Sequence, residues 1–246
     1  MFDGDNRKAF TLAEVLITLG IIGVVAALTI PTLLSNIQRK RLQSQFNKAF
    51  ADVNVAARLF FAEEEMSVHD FDLDSQVTGS YRSDLVLERF MSYFKGQTRT
   101  TAYSWAPYDS SRNISQKNLN GHLTTQYPCD ESRVILDMAG RIWATDNSSA
   151  QWNNLNGPKI CVDTNGVDSP NRFGYDRFVF VFSEDNSVIP YTGLIWNGLT
   201  INQTDENVIK KYCDYKEDSS PAFSCAYFAL KDKGPNGGSY WKSFLK

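Results

Sequence analysis

The sequence predicts an α+β protein, in which one long amino-terminal helix packs by its second half against a small antiparallel sheet. Three observations lead there. The 25 residues from Phe10 to Leu34 contain a single ionisable side chain, Glu14. Apolar residues then continue at helical spacing through Phe60, and beyond residue 130 short alternating or aromatic-rich runs replace that period.

At about 1.5 Å per residue, Phe10 to Leu34 is long enough to cross a hydrocarbon core of roughly 30 Å. A lone carboxylate at that depth costs on the order of 2.5 to 3.5 kcal/mol, which calls for a dedicated partner. Thr11, Glu14 and Thr18 follow one another at spacings of three and four and form a polar stripe around the acid. Ala13, Gly20 and Ala27, with Gly23 beside them, form a second stripe of small residues along which helix backbones can approach. Pro31 removes one backbone hydrogen bond and predicts a kink.

Ordinary explanations of this stretch fit less well. A secretory signal peptide would use Arg7 and Lys8 as its basic region but has no use for Glu14. A plain signal anchor accounts for length and hydropathy and leaves Glu14 a coincidence. A buried core helix would show a polar face, and none exists over six turns. Charge does not fix the topology, because Arg7 and Lys8 on one side are answered by Arg39, Lys40 and Arg41 on the other.

The run Lys8, Ala9, Phe10, Thr11, Leu12, Glu14 and, further on, Pro31 closely resembles the processing and assembly segment of type IV pilins and of the pseudopilins of type II secretion. In that family a basic leader ends in a small residue, cleavage exposes a Phe, and the fifth mature residue is Glu; here Ala9 stands where Gly is usual. The resemblance covers about the first 50 residues strongly and implies a pilin-like fold. It divides the chain into a leader at 1–9, a hydrophobic transmembrane and assembly helix at 10–34, an amphipathic continuation of the spine at 35–66 and an exported head at 67–246. It implies cutting between Ala9 and Phe10 by prepilin peptidase, methylation of the new amine, and pairing of Glu14 with the Phe10 amine of a neighbouring copy. Partners would be copies of the chain, other pilins or pseudopilins, the inner-membrane assembly platform and membrane lipid. The implied location is a single pass through the bacterial inner membrane with the carboxyl terminus outside, then a periplasmic pseudopilus or a cell-surface pilus.

Past Pro31 the periodicity of Ile37, Leu42, Phe46, Ala49, Val53, Ala56 and Phe60 extends the helix to about Glu65, a spine of roughly 84 Å, with Lys48, Asp52 and Arg58 pointing outward. The acids Glu63 to Glu65 read as a solvated face, and a break is expected from Met66 to Asp70. Ser83 to Phe94 reads as a short helix stopped by Gly96, with Leu85, Val86, Phe90, Met91 and Phe94 on its apolar side. Gln97 to Gln126 is polar and reads as surface loop. Strands are expected at Arg133 to Met138, Arg141 to Thr145, Lys159 to Val162, Arg177 to Phe182 and Val188 to Trp196, with a turn at Ala139-Gly140, giving a core of three or four antiparallel strands. Helical turns follow at Glu206 to Tyr212 and Ala222 to Leu230, and Trp241 and Phe244 are expected to tuck the end against the sheet.

With a net charge of −3, no nucleic-acid partner is expected. Cys129, Cys161, Cys213 and Cys225 all follow the apolar stretch, where an exported head permits disulfides, and three pairings are possible. The pairing favoured is Cys129 with Cys161 and Cys213 with Cys225, the second resembling the carboxyl-terminal disulfide loop of many pilins. No C-x-x-C pair is present and His69 and His122 lie far from the cysteines, so zinc is weakly supported. Asp163, Asn165, Asp168 and Asp176 offer hard oxygens around a D-x-N-G turn, a possible Ca²⁺ loop, though without EF-hand spacing. Otherwise Asp163 and Asn165 make an Asx-turn in a family structural element. No cofactor is required.

The expected function is a non-enzymatic structural subunit of a type IV filament or type II secretion pseudopilus. The alternative is a single-pass anchored surface adhesin or a minor tip pilin, in which the aromatics of Tyr103 to Tyr108 would stack on sugars. No nucleophile elbow, zinc-protease helix or P-loop supports an enzyme.

Overall fold

The computed structural model describes residues 10–77, 88–94, 98–99, 105–129, 134–146, 158–192, 204–216 and 222–246. The leader at 1–9, Leu85, Val86 and Gly96, and the end of the strand expected to reach Trp196 lie outside these. Two compact units divide at residue 40, and each is taken by itself.

In the first unit the chain enters helix α1, Leu12–Glu64, which continues unbroken through Pro31. Its apolar residues up to Leu34 are exposed apart from the half-buried Ala26, and none of the most apolar stretch is buried.

In the second unit α1 buries Leu42, Phe46, Ala49, Val53, Ala56, Ala57 and Phe60. These are the expected positions of the amphipathic continuation, because a 3.6-residue repeat keeps them on one side. Ile37, counted with them from its spacing, is instead exposed and precedes this unit. Glu65 adopts a left-handed conformation, φ 57°, which ends α1. The expected break is shorter than Met66 to Asp70. Helix α2, Val68–Val77, starts at once, and the Ser67 hydroxyl caps it by accepting the Asp70 N–H at 2.9 Å. The three acids are not all solvated either: Tyr93 donates to Glu63 and Glu64, and Arg89 pairs with Glu64.

After a helical turn at 88–91 come strand β1, Thr98–Arg99, and helix α3, Trp105–Ser111. Then follow β2, Ile135–Leu136; β3, Ile142–Asp146; β4, Lys159–Asp163; β5, Arg177–Phe182; and β6, Val188–Pro190. Among the described residues these six strands form one antiparallel meander in the order β1-β2-β3-β4-β5-β6. That is more strands than expected, because Thr98–Arg99 adds an edge. The two halves of the Ala139-Gly140 turn pair Ile135 with Trp143 and Leu136 with Ile142.

Every residue of β5 is buried, so the sheet is covered on both faces. Opposed residues on neighbouring strands share a face. Phe178 and Phe180 turn to α1, where the Phe46 ring lies 4.5 Å edge-on from Phe178 and 5.9 Å from Phe180. The other face carries Arg177 and Val179 of β5, opposite Asp163 and Cys161 of β4. It is covered by 105–129: Trp105, Tyr108, Asp109, Gln116, Asn118, Leu119 and Cys129 are all buried. The expectation that Gln97 to Gln126 is surface is therefore overturned at these buried positions, while Ser110 to Asn113, Ser115, His122, Leu123 and Thr125 are exposed as expected. A sheet buried on both faces needs a second cover, and this segment supplies the aromatic rings for it. The same burial removes Trp105 and Tyr108 as sugar-stacking rings; Tyr103 lies outside the described residues.

The chain closes with α4, Glu206–Ile209, a 3₁₀ turn at Lys210–Tyr212, α5, Cys225–Lys231, and a π-helical turn at Tyr240–Phe244. Trp241 packs 5.5 Å from Phe46 and donates its indole N–H to the Ala229 carbonyl at 3.0 Å, as its expected place against the sheet requires. Both favoured disulfides are present, Cys129–Cys161 with Cα atoms 6.1 Å apart and Cys213–Cys225 with Cα atoms 4.9 Å apart.

Candidate assembly site

The start of α1 is a capping box. Thr11 Oγ1 accepts the Glu14 N–H at 3.2 Å, and Glu14 Oε2 accepts both the Thr11 N–H at 2.8 Å and its hydroxyl at 2.9 Å. The pattern T-x-x-E was there to be read and escaped the sequence reading, which saw only a polar stripe. Its consequence is that Glu14 is oriented by its own helix start, one oxygen turned toward Thr11. Thr18 donates its hydroxyl to the Glu14 and Val15 carbonyls, 2.9 Å each, and Thr29 likewise bonds the Val25 carbonyl at 2.9 Å. The hydroxyls of Thr11, Thr18 and Thr29 are thus satisfied within the helix, as an environment without water demands. Pro31 sits two residues after Thr29. Phe10 is exposed, and Ala9 lies outside the described residues.

In the second unit the four oxygen-bearing residues of the turn are placed apart in role. Asp163 and Asp176 are buried; Asn165 is half-buried; Asp168 is exposed and faces Arg41 at 3.8 Å. Asp163 Oδ2 accepts Arg177 Nε at 2.8 Å, and its Oδ1 accepts the Asn165 N–H at 3.4 Å, the Asx-turn geometry. Asp176 accepts the backbone N–H groups of Asn171 and Arg172 at 2.8 and 2.7 Å. Asn165 donates to the Ser169 carbonyl at 3.1 Å. Among the described residues no group of three or more His, Cys, Asp or Glu is arranged to hold a metal ion.

The positive charge in this region comes from Arg177, whose five N–H donors are all engaged. Nε goes to Asp163; Nη1 to Asp109 at 2.7 Å and Gln116 at 2.9 Å; Nη2 to Asp109 at 3.0 Å and Asn171 at 3.4 Å. Its guanidinium also lies 4.9 Å from the Trp105 ring centre. Burial pushes the Asp176 carboxyl up to about 6, against the pull of the Arg172 and Asn171 N–H groups. Burial and the neighbouring Asp176 charge likewise raise Asp163, with Arg177 opposing. Sequence reasoning reached Asp163 and Asp176 but missed Arg177, Asp109 and Gln116; a buried cluster spanning 68 positions leaves no local spacing to find.

A second network ties α1 to the sheet. Arg141 bridges Asp137 (Nε, 2.6 Å) and Asp52 of α1 (Nη2, 2.7 Å), and Trp143 donates its indole N–H to Asp137 at 2.8 Å. Asp52, expected to point outward, is therefore drawn to the sheet as well as to Lys48. His69 is buried beside Asp70, 3.1 Å apart, in the first turn of α2.

Residues 4–30 match the family model of the prokaryotic N-terminal methylation motif. The chain carries a prepilin-type signal. This signal is shared by type IV pilins and pseudopilins, and it marks a pilin-like substrate of prepilin peptidase. The match takes in most of the apolar part of α1, so the signal and the apolar membrane-anchoring helix overlap along the sequence. No curated protein and no solved structure matches the chain.

Proposed function

We propose that the protein is a structural subunit of a type IV filament or a type II secretion pseudopilus, inserted once in the bacterial inner membrane with its head outside the cytoplasm. Prepilin peptidase removes residues 1–9, the Phe10 amine is methylated, and subunits polymerise through α1. The observation that carries this reading is the prepilin-type signal with Glu14 as the sole acid of the apolar, unburied stretch Phe10 to Leu34. In a fibre core of low dielectric an unpaired carboxylate is expensive, and the Phe10 amine of an adjacent subunit supplies the counter-charge. The capping box supports the pairing by holding Glu14 at the helix start, next to the cut.

Two measurements test it. Mass spectrometry of the protein from its native envelope should find a methylated Phe10 terminus; an intact Met1, or a terminus elsewhere, refutes processing. Glu14→Ala should leave membrane insertion unchanged and reduce assembled fibre at least tenfold, and wild-type fibre yield in that variant refutes the pairing.

A further inference from the structure

The end of the second unit at which α1 enters it carries two exposed apolar tips. Met138 leads into the β2–β3 turn and is 77% exposed; Val167, in the loop between β4 and β5, is 50% exposed. The two turns touch. Gly166, at φ 74°, lies so close to Gly140 that any Cβ there would overlap the Gly140 carbonyl oxygen. Arg41, in the first turn of α1 within this unit, reaches the same loop through Asp168, and both side chains are 66% exposed.

Both turns are held rigidly from beneath. Asp137 accepts the N–H groups of Ala139 and Arg141 at 2.9 and 3.1 Å, and is itself fixed by Arg141 and Trp143. The Val167 loop is tied by Asn165 to the Ser169 carbonyl, by Asn171 to the Val167 carbonyl at 3.5 Å, and by Asp176 to the Asn171 and Arg172 N–H groups. So many bonds spent on presenting two apolar side chains to solvent point to a surface that meets something apolar.

Covalent continuity names it. Arg41 follows Leu34, the last residue of the apolar run, by seven residues, which span no more than about 25 Å even fully extended. If Phe10 to Leu34 crosses a bilayer, this end of the head stays within reach of a headgroup layer whatever angle the helix takes. Apolar tips, one of them on the loop that Arg41 reaches, with Arg39 and Lys40 preceding Arg41 in sequence, match an interface of acyl chains under anionic headgroups. We infer that Met138 and Val167 form a lipid-docking surface that seats the head on an anionic membrane before assembly. The inference rests on the spanning part of the proposed function and on no other part of it. The loop that resembles an ion site then has a mechanical purpose: it holds Val167 out.

The test uses the full chain reconstituted in vesicles of phosphatidylcholine and phosphatidylglycerol. All four native cysteines are paired, so single cysteines can be labelled with an environment-sensitive nitrobenzoxadiazole dye in the Met138→Cys, Val167→Cys, Glu184→Cys and Gly23→Cys variants. Glu184 is the remote control, since the adjoining Asp185 to Ser187 turn borders Arg58 of α1, seventeen positions beyond Arg41. Gly23 reports insertion of the span. With nitroxide-bearing lipid present, dyes at Met138 and Val167 should be quenched at least threefold more than at Glu184. Equal quenching at all three head positions, with Gly23 strongly quenched, overturns the surface and leaves the span standing. An unquenched Gly23 label brings down the span and the surface together. Protection at Met138 and Val167 that rises with protein density rather than with lipid assigns them to a second copy of the chain and also overturns the inference.

Discussion

Arg177 is the residue on which the interior of the head turns. Its guanidinium separates Asp109 from Asp163 at full burial, with Asp176 close enough to raise Asp163 further. Removing one partner of a buried pair leaves uncompensated charge, which costs about 3 to 5 kcal/mol. Arg177→Leu should therefore lower the stability of the head by that amount in urea melts, whereas Arg172→Leu, beside it but more exposed, should cost much less. The same cluster sets a pH dependence opposite to that of a paired surface carboxylate. A folded-state value near 6 for Asp176, against about 3.9 when unfolded, means that the folded protein takes up the proton first. Stability is gained as pH falls through 6, and the gain is complete below the unfolded value. Between pH 7 and pH 5 this amounts to on the order of 1 kcal/mol, or a melting temperature raised by about 2 to 4 °C for a head of this size. Asp176→Asn should flatten that slope whatever it does to stability overall, and a wild-type melting temperature that falls on acidification to pH 5 refutes the assignment.

Among the elements, α1 was legible in outline and 105–129 was not. Leu42, Phe46, Ala49, Val53, Ala56 and Phe60 repeat with the helical period because each turn of α1 must meet the same sheet face, so the sequence displays the packing. The β3–β5 strands were legible for a related reason, their runs of Ile, Val and Phe being buried from both sides. The cover of the second face is different. It lies in a run of Ser, Thr, Asn and Gln with few apolar anchors: Trp105 and Tyr108 share one side of α3, a helix of only two turns, and Leu119 follows in irregular chain, so no period runs long enough to read. What fastens this segment is the Cys129–Cys161 bond, which ties its end to the middle of β4. Closing a loop of 32 residues is worth about 3.7 kcal/mol in chain entropy, against about 2.8 kcal/mol for the 12-residue Cys213–Cys225 loop. The double variant Cys129→Ala/Cys161→Ala should thus lose more stability than Cys213→Ala/Cys225→Ala in denaturant melts; the reverse order would show that the segment packs without its staple.

Over the whole molecule, the two units divide the work between lipid and water. Among the described residues every member of the hydrophobic core lies at Leu42 or beyond, and the aromatic contacts that join helix to sheet begin at Phe46. The apolar residues before Leu34 contribute nothing to that core; they remain exposed, which in water is an aggregation hazard and in a bilayer or a fibre is the binding surface itself. Folding of the head should then be independent of the span. A chain beginning at Arg41 keeps Lys48, Asp52 and the whole buried face of α1, and loses only a helical turn ahead of Leu42 that fraying would loosen in any case. It should be soluble without detergent and melt cooperatively within about 1 kcal/mol of the full chain in micelles, a difference typical of changes that touch no buried group. A molten product, lacking near-ultraviolet circular dichroism from its buried tryptophans, would mean that the residues before Arg41 stabilise the head. Retained folding would instead place the function of that stretch wholly outside its own subunit, where a prepilin-type signal and the single acid of an apolar stretch have their use.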